Sequence, residues 1–268
     1  MKKLIVALLL LLLLCTVLSA QELSVPVRLM SNDRATTERF VGSDAFGWQY
    51  TIAENEFRKH KGDIVVKYKN VALGEIYRAD LQNPLQIVLF YRRFNTVVLL
   101  DNQLNETASI NFSMLPNNQP ELIAEAAGLA SQNRLWLYDV TTQQIGLFDT
   151  AKGTFRTLTP PFNDGIKYYQ SDYNYFYWID TAGKCFAVNL FGSVTPLGSV
   201  PAFSSAQWLD SASILIATDD GLFVYNLPGQ NSRRVAIVEK SFGSFYYKDQ
   251  ILSIFTNDEI IQYKVTLP

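Results

Sequence analysis

A nucleophilic enzyme needs a base, and this sequence offers a single histidine for the task. His60 lies in Arg58-Lys59-His60-Lys61, a run of cations that reads as an exposed turn. No Gly-x-Ser-x-Gly elbow accompanies it. Cys185 sits in Lys184-Cys185-Phe186-Ala187-Val188, which has the look of a strand. Alternation puts Cys185 and Ala187 on one face and Lys184, Phe186 and Val188 on the other, so the thiol is expected to pack as a small hydrophobe. Two carboxylate pairs, Asp219-Asp220 and Asp258-Glu259, have the composition that glycoside hydrolysis requires. Asp220-Gly221 is, however, a hairpin signal, and both pairs fall between strand-like runs. Asp139, Asp180 and Asp219 recur at similar positions and read as turn residues. Phosphate-binding glycine loops and calcium-loop spacing are missing. These residues define no catalytic, cofactor-binding or metal site. They point to a chain that is not an enzyme, needs no cofactor and acts by binding, through partner-contacting residues the sequence does not single out.

Composition narrows the class. The 268 residues are 48% hydrophobic and 18% charged, enough apolar material for a core. A formal charge of −2 excludes a broad polybasic face for nucleic acid. Tyrosines and other rings are unevenly spread. Tyr168, Tyr169, Tyr173, Tyr175, Phe176, Tyr177 and Trp178 fall together, and Phe245, Tyr246 and Tyr247 form a second group. Most are expected in packing, with any left at a rim suited to a protein or glycan contact.

The first twenty residues read as a secretory signal peptide. Lys2 and Lys3 precede an apolar run from Leu4 to Leu14, and Leu18-Ser19-Ala20 supplies a cleavage site. Eleven helical residues extend about 16 Å, about half a hydrocarbon core, which argues against an uncleaved anchor. Cys15 follows three leucines rather than a small residue, which argues against lipidation. Cleavage after Ala20 leaves residues 21–268 as one domain, with 21 basic against 25 acidic residues and Cys185 as its one cysteine. An internal disulfide is then impossible, and stability must come from the core. No later apolar run is long enough to span a membrane.

The rest alternates short Val, Ile, Leu and aromatic runs with Asn, Asp, Gly, Ser and Pro, the signature of strands and turns. Several runs end in Asp or Asn, followed by a residue able to take positive φ: Asp101 with Asn105, Asp149 with Gly153, Asn189 with Gly192, and Asn226 with Gly229. Degenerate copies fall at Arg58-Lys59 with Gly62 and at Tyr263-Lys264. The anchors 59, 101, 149, 189, 226 and 264 are spaced 42, 48, 40, 37 and 38 residues apart. Four strands per unit at this period predict an all-β, single six-bladed β-propeller. A pair of β-sandwiches is the alternative for evenly spaced strands. The last unit lacks a fourth strand, and the run Leu23 to Leu29 has no unit of its own. This N-terminal strand is expected to close the sixth blade, with Pro26 tolerated at an outer edge.

The segment Asn83-Pro84-Leu85-Gln86-Ile87-Val88-Leu89-Phe90-Tyr91 and its continuation Phe94 to Glu106, together with Asn189-Leu190-Phe191-Gly192-Ser193, resembles a family of small exported β-propeller proteins of Bacteroidetes-type bacteria. The resemblance implies an export signal followed by one propeller, located in the periplasm or at the periplasmic face of the outer membrane. It brings no catalytic residues. The function expected is a non-catalytic scaffold or accessory subunit that binds a protein partner of a cell-envelope assembly. The alternatives are a carbohydrate-active enzyme using carboxylates of the central funnel, or a module binding a glycan or small ligand.

Overall fold

The computed structural model describes residues 24–34, 38–115 and 120–268. The signal-peptide reading of residues 1–20, Cys15 included, lies outside the described residues. Twenty-four strands form six four-stranded antiparallel sheets, one per blade of a six-bladed β-propeller. The strand β1 (Arg28–Arg34) is the exception to sequential order and is placed last. Blade 1 holds β2 (Arg39–Ser43), β3 (Gln49–Ala53), β4 (Glu56–Lys61) and β5 (Ile64–Lys69). Blade 2 holds β6 (Arg78–Asp80), β7 (Ile87–Tyr91), β8 (Thr96–Leu100) and β9 (Glu106–Asn111). Blade 3 holds β10 (Ala124–Ala130), β11 (Arg134–Asp139), β12 (Gln144–Asp149) and β13 (Thr154–Thr157). Blade 4 holds β14 (Tyr168–Ser171), β15 (Tyr175–Ile179), β16 (Lys184–Asn189) and β17 (Val194–Ser199). Blade 5 holds β18 (Ser205–Trp208), β19 (Ser213–Thr218), β20 (Gly221–Asn226) and β21 (Asn231–Arg234). Blade 6 is β22 (Ser244–Lys248), β23 (Ile251–Phe255) and β24 (Glu259–Lys264), with β1 added on the outside of β24.

The N-terminal strand therefore does close the ring, but several residues later than the sequence suggests. Arg28 pairs with Lys264 and Arg34 with Glu259, and Pro26 lies before the strand. Val25 instead bridges Val235 beside blade 5 and is buried between blades 5 and 6. The apolar residue is a plug, and the more polar stretch after it carries the pairing. The turn anchors hold after the third strand of blades 2 to 5. Asp101 accepts from the amides of Gln103 and Asn105, Asp149 from those of Ala151 and Lys152, and Asn189 from those of Phe191 and Ser193. In blade 1 the anchor is displaced. Arg58-Lys59-His60-Lys61 is the body of β4, and the turn follows at Gly62, whose φ is 56°.

The apolar core is divided among the blade interfaces. Five buried clusters lie between blades 1 and 2, 2 and 3, 3 and 4, 4 and 5, and 5 and 6. The seam between blades 6 and 1 is built differently. Half-buried Phe40 of β2 stacks on Phe255 of β23 at 5.0 Å and meets Tyr246 of β22 edge-on at 5.3 Å. Beside them a groove of about 440 Å³ opens on the flank, lined by Glu38, Arg58, His60, Val65 and Ile260 among others.

Candidate functional site

The first strand of each blade faces the ring axis. Around that axis lies a polar channel of about 520 Å³. Its walls come from β2, β6, β14, β18 and β22 and carry Ser43, Arg78, Asp80, Gln170, Gln207 and Lys248. Blade 3 is screened from it. The β10 sequence Ala-Glu-Ala-Ala-Gly-Leu-Ala keeps that strand thin, and blades 2 and 4 meet in front of it. A Cβ on Gly128 would lie 2.1 Å from Ser171 Oγ and 3.3 Å from Asp80 Oδ2, so only glycine fits there. Gln82 of blade 2 donates its amide to Ser171 O at 3.0 Å and accepts from Tyr173 N at 2.7 Å, both in blade 4.

The channel wall is fastened by side chains that imitate a neighbouring strand. Gln170 accepts from Trp208 N at 3.0 Å and donates to Trp208 O at 3.2 Å. Gln207 accepts from Tyr247 N at 2.8 Å and donates to Tyr247 O at 2.6 Å. The Tyr169 hydroxyl treats Ala127 the same way, accepting from its N–H and donating to its carbonyl. Lys248 donates to Ser43 O across the seam. Each clasp satisfies backbone groups that radiating blades leave apart.

Charge in the channel is unevenly committed. Asp80 is consumed by the fold: Oδ1 accepts from Gln82 N at 2.9 Å and Oδ2 from Leu129 N at 2.8 Å. Burial pushes its carboxyl above the usual range, while those two amides and the nearby Arg78 hold it down in part. Asp172 at the rim accepts from the amides of Asn174 and Tyr175. Arg78 is less committed, interacting with Tyr168 and at longer range with Asp80. Its guanidinium lies 4.2 Å from the Tyr169 ring centre and 5.6 Å from that of Tyr168, and among the described residues it makes no ion pair. Arginine remains charged at any relevant pH, so it presents fixed donors to whatever occupies the channel.

The residues that drew attention in the sequence lie elsewhere. Asp219-Asp220 and Asp258 are exposed in hairpin turns and Glu259 is exposed at the start of β24, all away from the channel. Asp139 and Asp180 are turn residues, as expected, capping the turns after β11 and β15 while buried at 1% exposure. At the matching place in blade 5 the amide of Asp220 is held by Thr218, and Asp219 is exposed. Cys185 is fully buried on the face with Ala187, and burial pushes its thiol up to about 12. His60 is not a turn residue. It shares a face of β4 with Arg58 in the flank groove, where Arg58 pairs with Glu38 and Glu56. Lys59 points the other way and is buried at 3% exposure, its ammonium 4.3 Å over the Trp48 ring and donating to Asn102 O. Among the clustered rings Tyr169, Phe176, Tyr177 and Trp178 are core, Tyr168 and Tyr246 line the channel, and Tyr173 and Tyr175 are exposed.

No protein-family profile and no curated protein sequence matches the chain. Solved structures do. Virginiamycin B lyase from Staphylococcus aureus superposes with a TM-score of 0.59 at 11% identity, covering 92% of this chain and 97% of the lyase. A catalytically inactive His-to-Ala variant of that lyase with quinupristin gives 0.55 at 12% identity, covering 93% of this chain and 97% of the lyase. The extracellular domain of a one-component system protein from B. thetaiotaomicron gives 0.55 at 11% identity, covering 84% of this chain and 32% of that one. These likenesses establish the β-propeller fold. They also overturn the expectation that the chain is not an enzyme, because streptogramin B lyases, which have the β-propeller fold, are enzymes. A scarcity of His and Cys is no argument against turnover in a channel that holds Arg78, Asp80, Asp172, Tyr168 and Lys248. Among the described residues, no helix is long and apolar enough to cross a membrane.

Proposed function

We propose that residues 1–20 direct export and that residues 21–268 form one propeller domain, which binds a carboxylate-bearing segment of a cell-envelope protein in its central channel. The site of action is the periplasm or the periplasmic face of the outer membrane. The observation that carries this reading is Arg78, a guanidinium in the channel wall, stacked on tyrosine and without an ion-pair partner among the described residues. Its fixed donors, shielded from bulk water in the channel wall, can form charge-assisted hydrogen bonds with an incoming anion, which gives selectivity for anions. A volume of about 520 Å³ takes an acidic side chain or a chain end but not a folded domain. The test is cross-linking in cells from a photoreactive residue placed at Ser171, comparing the native chain with Arg78→Met. Recovery of an envelope protein by the native chain and its loss in the variant is expected. Equal recovery by both overturns the role of Arg78.

A second reading is catalytic. Asp80, whose carboxyl burial pushes upward, and Asp172 come from blades 2 and 4 and line the same channel. Two carboxyl groups from different blades facing one channel are the pair that a carbohydrate-active enzyme divides into acid and base. Hydrolysis of a glycoside panel, abolished by Asp172→Asn, would establish it.

A further inference from the structure

A second cavity lies between blades 3 and 4, apart from the channel. It measures about 150 Å³ and is walled by Pro160, Phe162, Trp178, Phe186 and Val194, with Asp164 and Asp180 completing it. The aromatic walls are parts of one stack. Tyr138 lies on Phe162 at 5.1 Å, Phe162 on Trp178 at 5.4 Å, and Trp178 on Phe186 at 5.1 Å, with interplanar angles of 24°, 23° and 19°. The cavity lies beside this stack.

Asp180 is the unusual member. Oδ1 accepts from the amides of Ala182 and Lys184 and makes the turn that follows β15. Oδ2 is buried, and among the described residues it has no hydrogen-bond partner. The residue is 1% exposed, and among the described residues no lysine or arginine forms an ion pair with it. Lys184 supplies only its backbone N–H. Capping the turn requires one oxygen, which an asparagine would provide equally well, as Asn189 does after β16. The second, unpaired oxygen has no structural use and lowers stability. Asp164 adds a further carboxylate to the cavity lining.

We propose that this cleft binds a small organic ammonium ion carried on an aromatic or alkyl stem. The stem lies along the Phe162, Trp178 and Phe186 rings, where a space of about 150 Å³ holds one six-membered ring. The ammonium group lies at the acidic end, where Asp180 Oδ2 accepts a charge-assisted hydrogen bond and the ring faces add cation–π attraction. An uncharged molecule of the same shape fills the space but leaves Oδ2 unpaired. An anion is repelled by both carboxylates. The small volume favours a free molecule over a side chain projecting from a folded partner.

The test uses benzylamine and benzyl alcohol, a charged and a neutral probe of nearly equal shape, titrated into the full chain by Trp fluorescence and calorimetry. Benzylamine is expected to bind at least about tenfold more tightly than the alcohol. Asp180→Asn keeps the turn acceptor and should bring the two probes to within about twofold of each other. Val194→Trp fills the cleft from its partly exposed wall and should remove both interactions while the melting transition persists. Equal binding of the two probes by the native chain, or an amine preference that survives Asp180→Asn, overturns the proposal. Binding of a lysine-containing peptide without binding of benzylamine overturns the free-molecule assignment. The native-chain comparison decides the matter even if a variant fails to fold.

Discussion

The interface between blades 2 and 3 and the seam between blades 6 and 1 perform the same geometric task with different materials. The first is a dry cluster in which Val88, Phe90, Val97, Phe112, Leu135 and Phe148 are all below 2% exposure, with Phe112 edge-on to Phe148 at 5.3 Å. The second has half-buried rings, a lysine–carbonyl clasp and an open groove. Burial of apolar surface is worth about 25 cal/mol per Å², so the first interface holds the ring and the second merely completes it. A closed ring need not be equally strong all the way round, and its weakest joint is where it first opens.

The largest effect that would test this comparison comes from truncating one ring on each side. Phe148→Ala should cost about 3–5 kcal/mol in urea or thermal unfolding, because it leaves a cavity in a dry cluster. Phe40→Ala should cost about half as much, since water already reaches that site. Equal costs would erase the distinction. Next comes the committed channel carboxylate. Asp80→Asn sets an amide donor against the N–H of Gln82 or Leu129 and should cost about 1–3 kcal/mol. Asp180→Asn, with one oxygen idle, should leave the melting temperature close to native. Gln207→Ala removes two hydrogen bonds to Tyr247 and should cost about 1–2 kcal/mol, with amide exchange in β22 rising before that in β10.

The smallest effect concerns Cys185, which a disulfide-forming thiol reagent should not label at pH 8 until the chain unfolds. Its thiol is raised by burial from an ordinary value of 9.0 to about 12 in the folded state. The folded form therefore holds a proton that the unfolded form releases. This contribution is complete below pH 9 and is lost as pH climbs toward 12. A melting temperature that Cys185→Ser leaves equally sensitive to pH over that window would show that the thiol contributes none of it.

The repeat could be read because blades 2 to 5 each spend an Asp or Asn on the turn after the third strand, and side chain to backbone bonding makes that choice local. The closing strand was legible as a count of missing strands but not in register, because its most apolar residue, Val25, serves as a plug rather than a pairing residue. The channel was hidden for a related reason. β6 is three residues long, and Arg78-Ala79-Asp80 looks like a loop when read alone. The signal that was available is the recurrence of Gln at 170 and 207, near the blade period, each at a first strand. In blade 1, cations on both faces of β4 imitate a polar turn. Only the structure shows that Lys59 has Trp48 and a carbonyl to cover it.

The pairing of β1 with β24 also sets a clock. Arg28 meets Lys264, so the ring cannot shut until the blades between them have been synthesised. Contacts so distant in sequence form slowly, because the intervening chain must first be brought into a loop. During synthesis β1 waits for β24, and until then the blades between can assemble only as an open arc.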